Sequence, residues 1–177
     1  MAGEKNELLM VYTGDGKGKT TAALGLALRA IGHGKKVYMV QFMKGSRTYG
    51  EILAAERYLP HLTIVPSGRT GFVNRQNPDS EDIRRAGQAL ELGREALTSG
   101  NYQLVIWDEV NVALDYGLVG LKDVLSALER RPDGVDLVLT GRNAPEEVIT
   151  RADLVSEVRQ VKHHYEGGVQ AKAGIEY

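Results

Sequence analysis

Short apolar runs alternate along the chain with longer segments of helical period, the pattern of a parallel sheet covered by helices on both faces. The runs are LLMVYT (8–13), KVYMVQF (36–42), LTIV (62–65), QLVIWD (103–108), VDLVLT (135–140) and a less regular DLVSEVRQV (153–161). Between the first two, Ala23, Leu26, Ala27, Ala30 and Ile31 mark one helical face, and the stretch Gly32 to Gly34 supplies a stop, which makes a βαβ unit. A second helix opens at Pro78, Asp79 and Ser80 as N-cap candidates, repeats Ile83, Ala86, Leu90 and Leu97 on one stripe, and ends at Gly100. A third carries Leu121, Val124, Leu125 and Leu128 and closes in the turn RPDG. The pattern predicts an α/β protein with three αβα layers around a mostly parallel sheet of five to six strands. Two glycine-rich polar stretches, 67–78 and 162–177, fit neither period and are expected as surface loops near a ligand.

At 177 residues, 42% of them hydrophobic, the chain suits one compact domain spanning 1–177. The 22 basic and 23 acidic residues nearly cancel, and the arginines are spread from Arg29 to Arg159, so no nucleic-acid or membrane partner is indicated. The absence of cysteine excludes disulfides and thiolate metal sites and leaves the redox compartment open. Neither a signal-peptide pattern nor an apolar run near the ~18 residues of a membrane span is present, so a soluble cytoplasmic protein is the expectation.

Directly after the first apolar run comes TGDGKGKTT (13–21). A strand that enters a glycine-rich turn and then a helix aims several backbone N–H groups and the positive helix end at one point, and such a point binds phosphate. Gly18, Lys19 and Thr20 match the GK[ST] end of a P-loop, with Lys19 expected on terminal phosphate oxygens and Thr20 on Mg²⁺. Thr13 stands where that motif wants its first glycine, and Gly14 and Gly16 lie inside the loop, so the loop is a variant. LVIWDEV ends in Asp108 and Glu109 at the sheet edge where open α/β sheets bind ligands. Asp108 is the candidate Mg²⁺ ligand, and Glu109 either orients a nucleophile or supports the metal. Arg142 follows the fifth strand at the same edge, where it is a ligand contact or a plain loop arginine. His163 and His164 lie in the polar tail as surface or functional histidines. Phe72, one of two phenylalanines, either anchors its glycine-flanked loop to the core or offers a flat apolar face to a ligand.

With these pieces in view, the chain resembles the P-loop ATP:corrinoid adenosyltransferases of the cobalamin pathway. The matching stretches are TGDGKGKTTAALG (13–25), VQFMKG (40–45), IWDEVNVALDYGL (106–118), LTGRNAP (139–145), ADLVSEV (152–158) and KHHYEGGVQAKAGIEY (162–177). The resemblance implies a RecA-like P-loop fold, a homodimer, and transfer of the 5′-deoxyadenosyl group of ATP to reduced corrinoid cobalt with release of triphosphate. It also implies an electron-donating reductase such as a flavoprotein. Carried over by position, the nucleotide loop falls on Gly14, Asp15, Gly16, Lys17, Gly18, Lys19, Thr20 and Thr21, and the acidic strand end on Asp108 and Glu109. Phe72 falls on the aromatic of a loop that shields the lower corrin face and helps displace the axial base of cobalt. The tryptophan expected two residues later is Asn74 here, so that displacement is expected to be weaker or to use another side chain. About eight residues precede the first strand, and the N-terminal helical lid of some members is expected to be absent or replaced.

Attack by cobalt(I) on the 5′ carbon of ATP needs no protein base; the enzyme supplies alignment, stabilisation of the leaving triphosphate, and access to cobalt(I). Two other readings share the motifs. In an ATPase or phosphotransferase of this fold, Glu109 would orient water or a hydroxyl toward the terminal phosphate and the product would be ADP. A RecA-like nucleic-acid-binding module or nucleotide switch would show steep salt-dependent binding, and the 6% aromatic content and scattered charge count against it.

Overall fold

The computed structural model describes residues 7–176. The expectation about an N-terminal lid falls on earlier residues and lies outside the described ones. In chain order the elements are β1 (Leu9–Thr13), α1 (Lys19–Gly32), β2 (Val37–Phe42), α2 (Gly50–Tyr58), β3 (Leu62–Ser67), α3 (Ser80–Thr98) and β4 (Leu104–Asp108). There follow α4 (Val110–Asp115), α5 (Leu121–Glu129), β5 (Asp136–Thr140), α6 (Glu146–Ile149), β6 (Leu154–Glu157) and one 3₁₀ turn, His164–Gly167. The strands form one sheet in the order β3-β2-β4-β5-β1-β6, with every pair parallel.

Because successive strand residues face opposite sides, the continuous apolar runs feed two cores. Val11, Val40, Phe42, Val105, Trp107, Leu137 and Leu139 pack beneath α3, α4 and α5, while Met10, Val37, Met39, Ile64, Ile106 and Val138 pack beneath α1 and α2. This is the expected three-layer arrangement. Small residues let the helices lie close: Ala23 and Ala27 on α1, and Ala86, Ala89, Gly93 and Ala96 on α3. Asp79 caps α3 by accepting a hydrogen bond from the Glu81 N–H at 2.9 Å.

Gly93 seats Trp107, the largest fully buried side chain, since a Cβ there would stand 2.5 Å from the indole Nε1. Gly93→Ala is therefore expected to destabilise the fold by about 1–3 kcal/mol through overpacking. A denaturation midpoint equal to the parent's would show that the indole has room to retreat.

Several elements differ from the sequence pattern. Helices α2 and α4 carry no clear helical stripe: α2 buries only Ile52 and Ala55, and α4 has only six residues. Ile83 is 46% exposed, and Asp82 takes the core-facing position instead, its carboxylate paired with Arg69. β3 continues through Pro66 to Ser67, which an edge strand tolerates because a missing N–H there breaks little of the ladder. β6 stops at Glu157 rather than reaching residue 161, because the chain then leaves the sheet to pack on the glycine loop. Among the described residues, no helix is long and apolar enough to cross a membrane.

Candidate functional site

In a sheet whose strands all run one way, the loops leaving their C-terminal ends gather at one edge. Here that edge holds an open cleft of about 770 Å³, lined by the glycine loop, Lys44, Glu109, Arg142 and part of the C-terminal tail.

The glycine loop is shaped by the chain that follows β6. A Cβ on Gly14 would meet the Val158 carbonyl oxygen at 2.6 Å, and one on Gly16 would meet the Val158 and Arg159 carbonyl oxygens at 2.8 Å. The Gly16 N–H donates to the Val158 oxygen at 2.7 Å, so backbone lies directly on backbone. Thr13 remains in β1. Its carbonyl accepts from the Val158 N–H at 2.8 Å, and its hydroxyl accepts from the Ala144 N–H at 3.3 Å. The departure from the P-loop pattern at Thr13 thus ties the loop to the segments after β5 and β6.

Lys19, only 7% exposed, donates from Nζ to the carbonyls of Gly14 and Gly16, both at 2.7 Å. Burial holds its ammonium below the usual lysine range, and Glu109 partly opposes that. Thr20 Oγ1 donates to Asp108 Oδ1 at 2.8 Å. Asp108 is fully buried and is the hub of the site: Thr140 Oγ1 donates to Oδ1 at 2.7 Å, and Gln41 Nε2 to Oδ2 at 3.3 Å. The Lys44 ammonium sits 2.7 Å from the same Oδ2. Burial alone would pull the Lys44 ammonium down, but the attraction and hydrogen bond of Asp108 outweigh it and the net displacement is upward.

Glu109 takes the left-handed conformation at φ 65°, steadied by its N–H donating to Thr140 Oγ1 at 2.9 Å. Burial and the neighbouring Asp108 raise its carboxyl above the ordinary range, against the pull of Lys44, Lys19 and Arg142. Arg142 reaches the loop, donating from Nη2 to the Asp15 carbonyl at 3.2 Å. Asp15, Lys17, Gly18 and Thr21 line the cleft. The tail closes one side: Lys17 pairs with Glu176 at 2.9 Å, and His164 Nε2 lies 3.5 Å from the same carboxylate. His163 also lines the cleft.

Phe72 is fully exposed and does not line this cleft, so it does not anchor its loop; the next residue, Val73, packs against the core instead. Asn74 Oδ1 accepts from the N–H groups of Gln76 and Asn77 at 3.0 and 3.4 Å, so it braces the turn rather than presenting a face.

Gln41, Lys44 and Thr140 complete the hub and were not singled out as site residues from sequence. The signal was positional: Gln41 interrupts an apolar buried strand, and Thr140 ends one at the ligand edge. Thr20 Oγ1 and the Asp108 carboxylate stand side by side, with Glu109 on the cleft next to them, and are oxygen donors of the kind a hard divalent cation takes. The loop N–H groups, Lys19, Lys44 and Arg142 suit a polyanion beside it.

Residues 5–177 match the family model described as ATP:corrinoid adenosyltransferase BtuR/CobO/CobP. The chain is 36% identical over 176 residues to the corrinoid adenosyltransferase of Escherichia coli K12, covering 99% of this chain and 88% of that one. It is 38% identical to corrinoid adenosyltransferase CobA of Salmonella typhimurium, with the same coverage. The corrinoid adenosyltransferase of Pseudomonas aeruginosa is 36% identical, with 99% and 86% covered. The chain belongs to the ATP:corrinoid adenosyltransferase family.

Proposed function

We propose that the protein transfers the 5′-deoxyadenosyl group of ATP to the cobalt(I) of a reduced corrinoid and releases triphosphate, in adenosylcobalamin biosynthesis or salvage. The observation that carries this reading is a phosphate cradle at the ligand edge of the sheet, in a chain of this family. Cobalt(I) donates an electron pair to the 5′ carbon while the bond from that carbon to the triphosphate oxygen breaks. The bonding pair leaves with triphosphate, and cobalt is formally oxidised to cobalt(III).

In this mechanism the loop N–H groups and Lys19 hold the phosphate chain and take up charge as it departs. Arg142 closes the loop side of the cleft through Asp15. Thr20 and Asp108, with Glu109 beside them, would hold Mg²⁺, whose chemistry here is neutralisation of phosphate charge. Phe72 meets the lower face of the corrinoid and, by excluding an axial ligand, makes cobalt(II) easier to reduce. A homodimer, an electron-donating reductase such as a flavoprotein, and a cytoplasmic setting belong to the same proposal and are supported by the family resemblance.

An anaerobic incubation with MgATP and chemically reduced corrinoid is expected to give a cobalt–carbon bond and one triphosphate per corrinoid converted. ADP with no new corrinoid species would instead identify the phosphotransferase chemistry that Glu109 also permits.

Phe72→Ala is expected to leave MgATP affinity unchanged, to diminish the four-coordinate cobalt(II) spectrum, and to raise corrinoid KM about tenfold, the worth of one aromatic face at roughly 1.5 kcal/mol. A cobalt(II) spectrum identical to the parent's would remove Phe72 from the mechanism.

A further inference from the structure

The turn after β2 and the turn after β3 meet backbone to backbone. A Cβ on Gly45 would stand 2.4 Å from the Arg69 carbonyl carbon, and one on Gly68 would stand 2.4 Å from that of Met43 and 2.5 Å from the Lys44 nitrogen. With no side chain between them, neither turn can shift without displacing the other. Met43 holds the left-handed φ of 61°, which fixes the course of the first turn.

From this junction two arms lead to the two substrates. Lys44 reaches the nucleotide side, where its ammonium lies 2.7 Å from Asp108 Oδ2 and faces the cleft. Arg69 reaches the Phe72 side: Nε and Nη2 grip Asp82 at 2.6 and 2.7 Å, and this carboxylate is 4% exposed on the first turn of α3. The Gly68 carbonyl accepts from Arg85 Nη1 at 2.8 Å, which fastens the same turn again. At its far end the loop is held by Arg75, 2.8 Å from Asp115 and over the Tyr116 ring. Such bracing would be superfluous for a loop that merely connects β3 to α3. Phe72 lies between the two anchored ends of this loop, fully exposed.

We propose that the Met43–Gly45 and Gly68–Arg69 turns form one rigid link that sets where Phe72 stands relative to the nucleotide seat at Asp108. Gly45, Gly68 and Arg69 are then positioning residues for the corrinoid half of the reaction. Lys44 is the point where a bound triphosphate enters the link, because the phosphate chain offers its ammonium a second partner besides Asp108. The proposal rests on Phe72 meeting the corrinoid.

The test compares Gly68→Ala, Arg69→Lys and Phe72→Ala, each single substitution and each of the first two combined with the third. MgATP affinity without corrinoid, corrinoid KM, the four-coordinate cobalt(II) spectrum and thermal midpoint are measured for all. Gly68→Ala and Arg69→Lys are each expected to bind MgATP as the parent does, to raise corrinoid KM about tenfold, and to weaken the cobalt(II) spectrum. In the Phe72→Ala background, neither is expected to raise KM further, because misplacing an absent ring costs nothing. Arg69→Lys keeps the charge and loses only the two-pronged grip, so it decides the matter if Gly68→Ala folds poorly. Effects that add fully to those of Phe72→Ala, or that leave corrinoid KM unmoved, overturn the link while Phe72 keeps its role. If Phe72→Ala alone has no effect, the Phe72 reading fails and the link falls with it.

Discussion

Lys19→Ala is expected to lower turnover by about 10²–10³-fold, the usual cost of removing one donor aimed at developing charge, and to weaken MgATP binding as well. The ammonium is buried and held by two loop carbonyls at 2.7 Å. Both present partners are neutral carbonyls, so the anionic oxygens of an arriving phosphate chain give the ammonium a stronger, charge-assisted partner. The stabilisation grows as the bond at the 5′ carbon breaks and charge accumulates on triphosphate, so kcat and nucleotide affinity should fall together. Rapid-quench turnover and calorimetric MgATP titration measure the two separately. Near-normal turnover would mean that the loop N–H groups hold the leaving group without Lys19.

Asp108→Asn is expected to combine a stability loss of about 3 kcal/mol with a turnover loss on the order of 10²-fold. The carboxylate accepts from Thr20, Thr140, Lys44 and Gln41, all of them donors. An amide presents one N–H₂ edge to that ring of donors, and it leaves the half-buried Lys44 ammonium without its Asp108 counter-charge. For a chain of this length the stability loss corresponds to a fall in thermal midpoint of roughly 6–12 °C. The two effects are separable by assaying well below the midpoint, with Mg²⁺ varied. A variant that melts early yet turns over normally when folded would confine Asp108 to a structural role.

Asp108 also marks how far the sequence could be read. The residue itself was legible because a carboxylate ends an apolar run at a strand's C-terminal edge, and Lys19 and Thr20 because their motif is contiguous. Its partners Gln41, Lys44 and Thr140 were not, because the contacts span 67, 64 and 32 residues and exist only once β2, β4 and β5 lie side by side. All six strands were visible as runs of apolar residues, whereas α2 and α4 were not, since helices that bury two or three residues leave almost no stripe. Ile83 misled because periodicity favours an apolar side chain for the core, and the pairing of Arg69 with Asp82 reverses that preference. Phe72 and Val73 show the same limit: adjacent apolar residues in a loop face opposite ways, and only packing decides which one is buried.

The contact between the glycine loop and residues 158–159 makes the loop's shape depend on a distant part of the chain. β1 carries the nucleotide loop but lies between β5 and β6, so its neighbours come from residues 136–140 and 154–157 at the other end of the chain. On a ribosome β1 has no strand of this sheet to lie against until residues 136–140 have been synthesised. Gly14 and Gly16 receive their final shape from residues 158–159, far along the chain. The ability to hold a phosphate is therefore completed only when β5 and β6 have both docked beside β1.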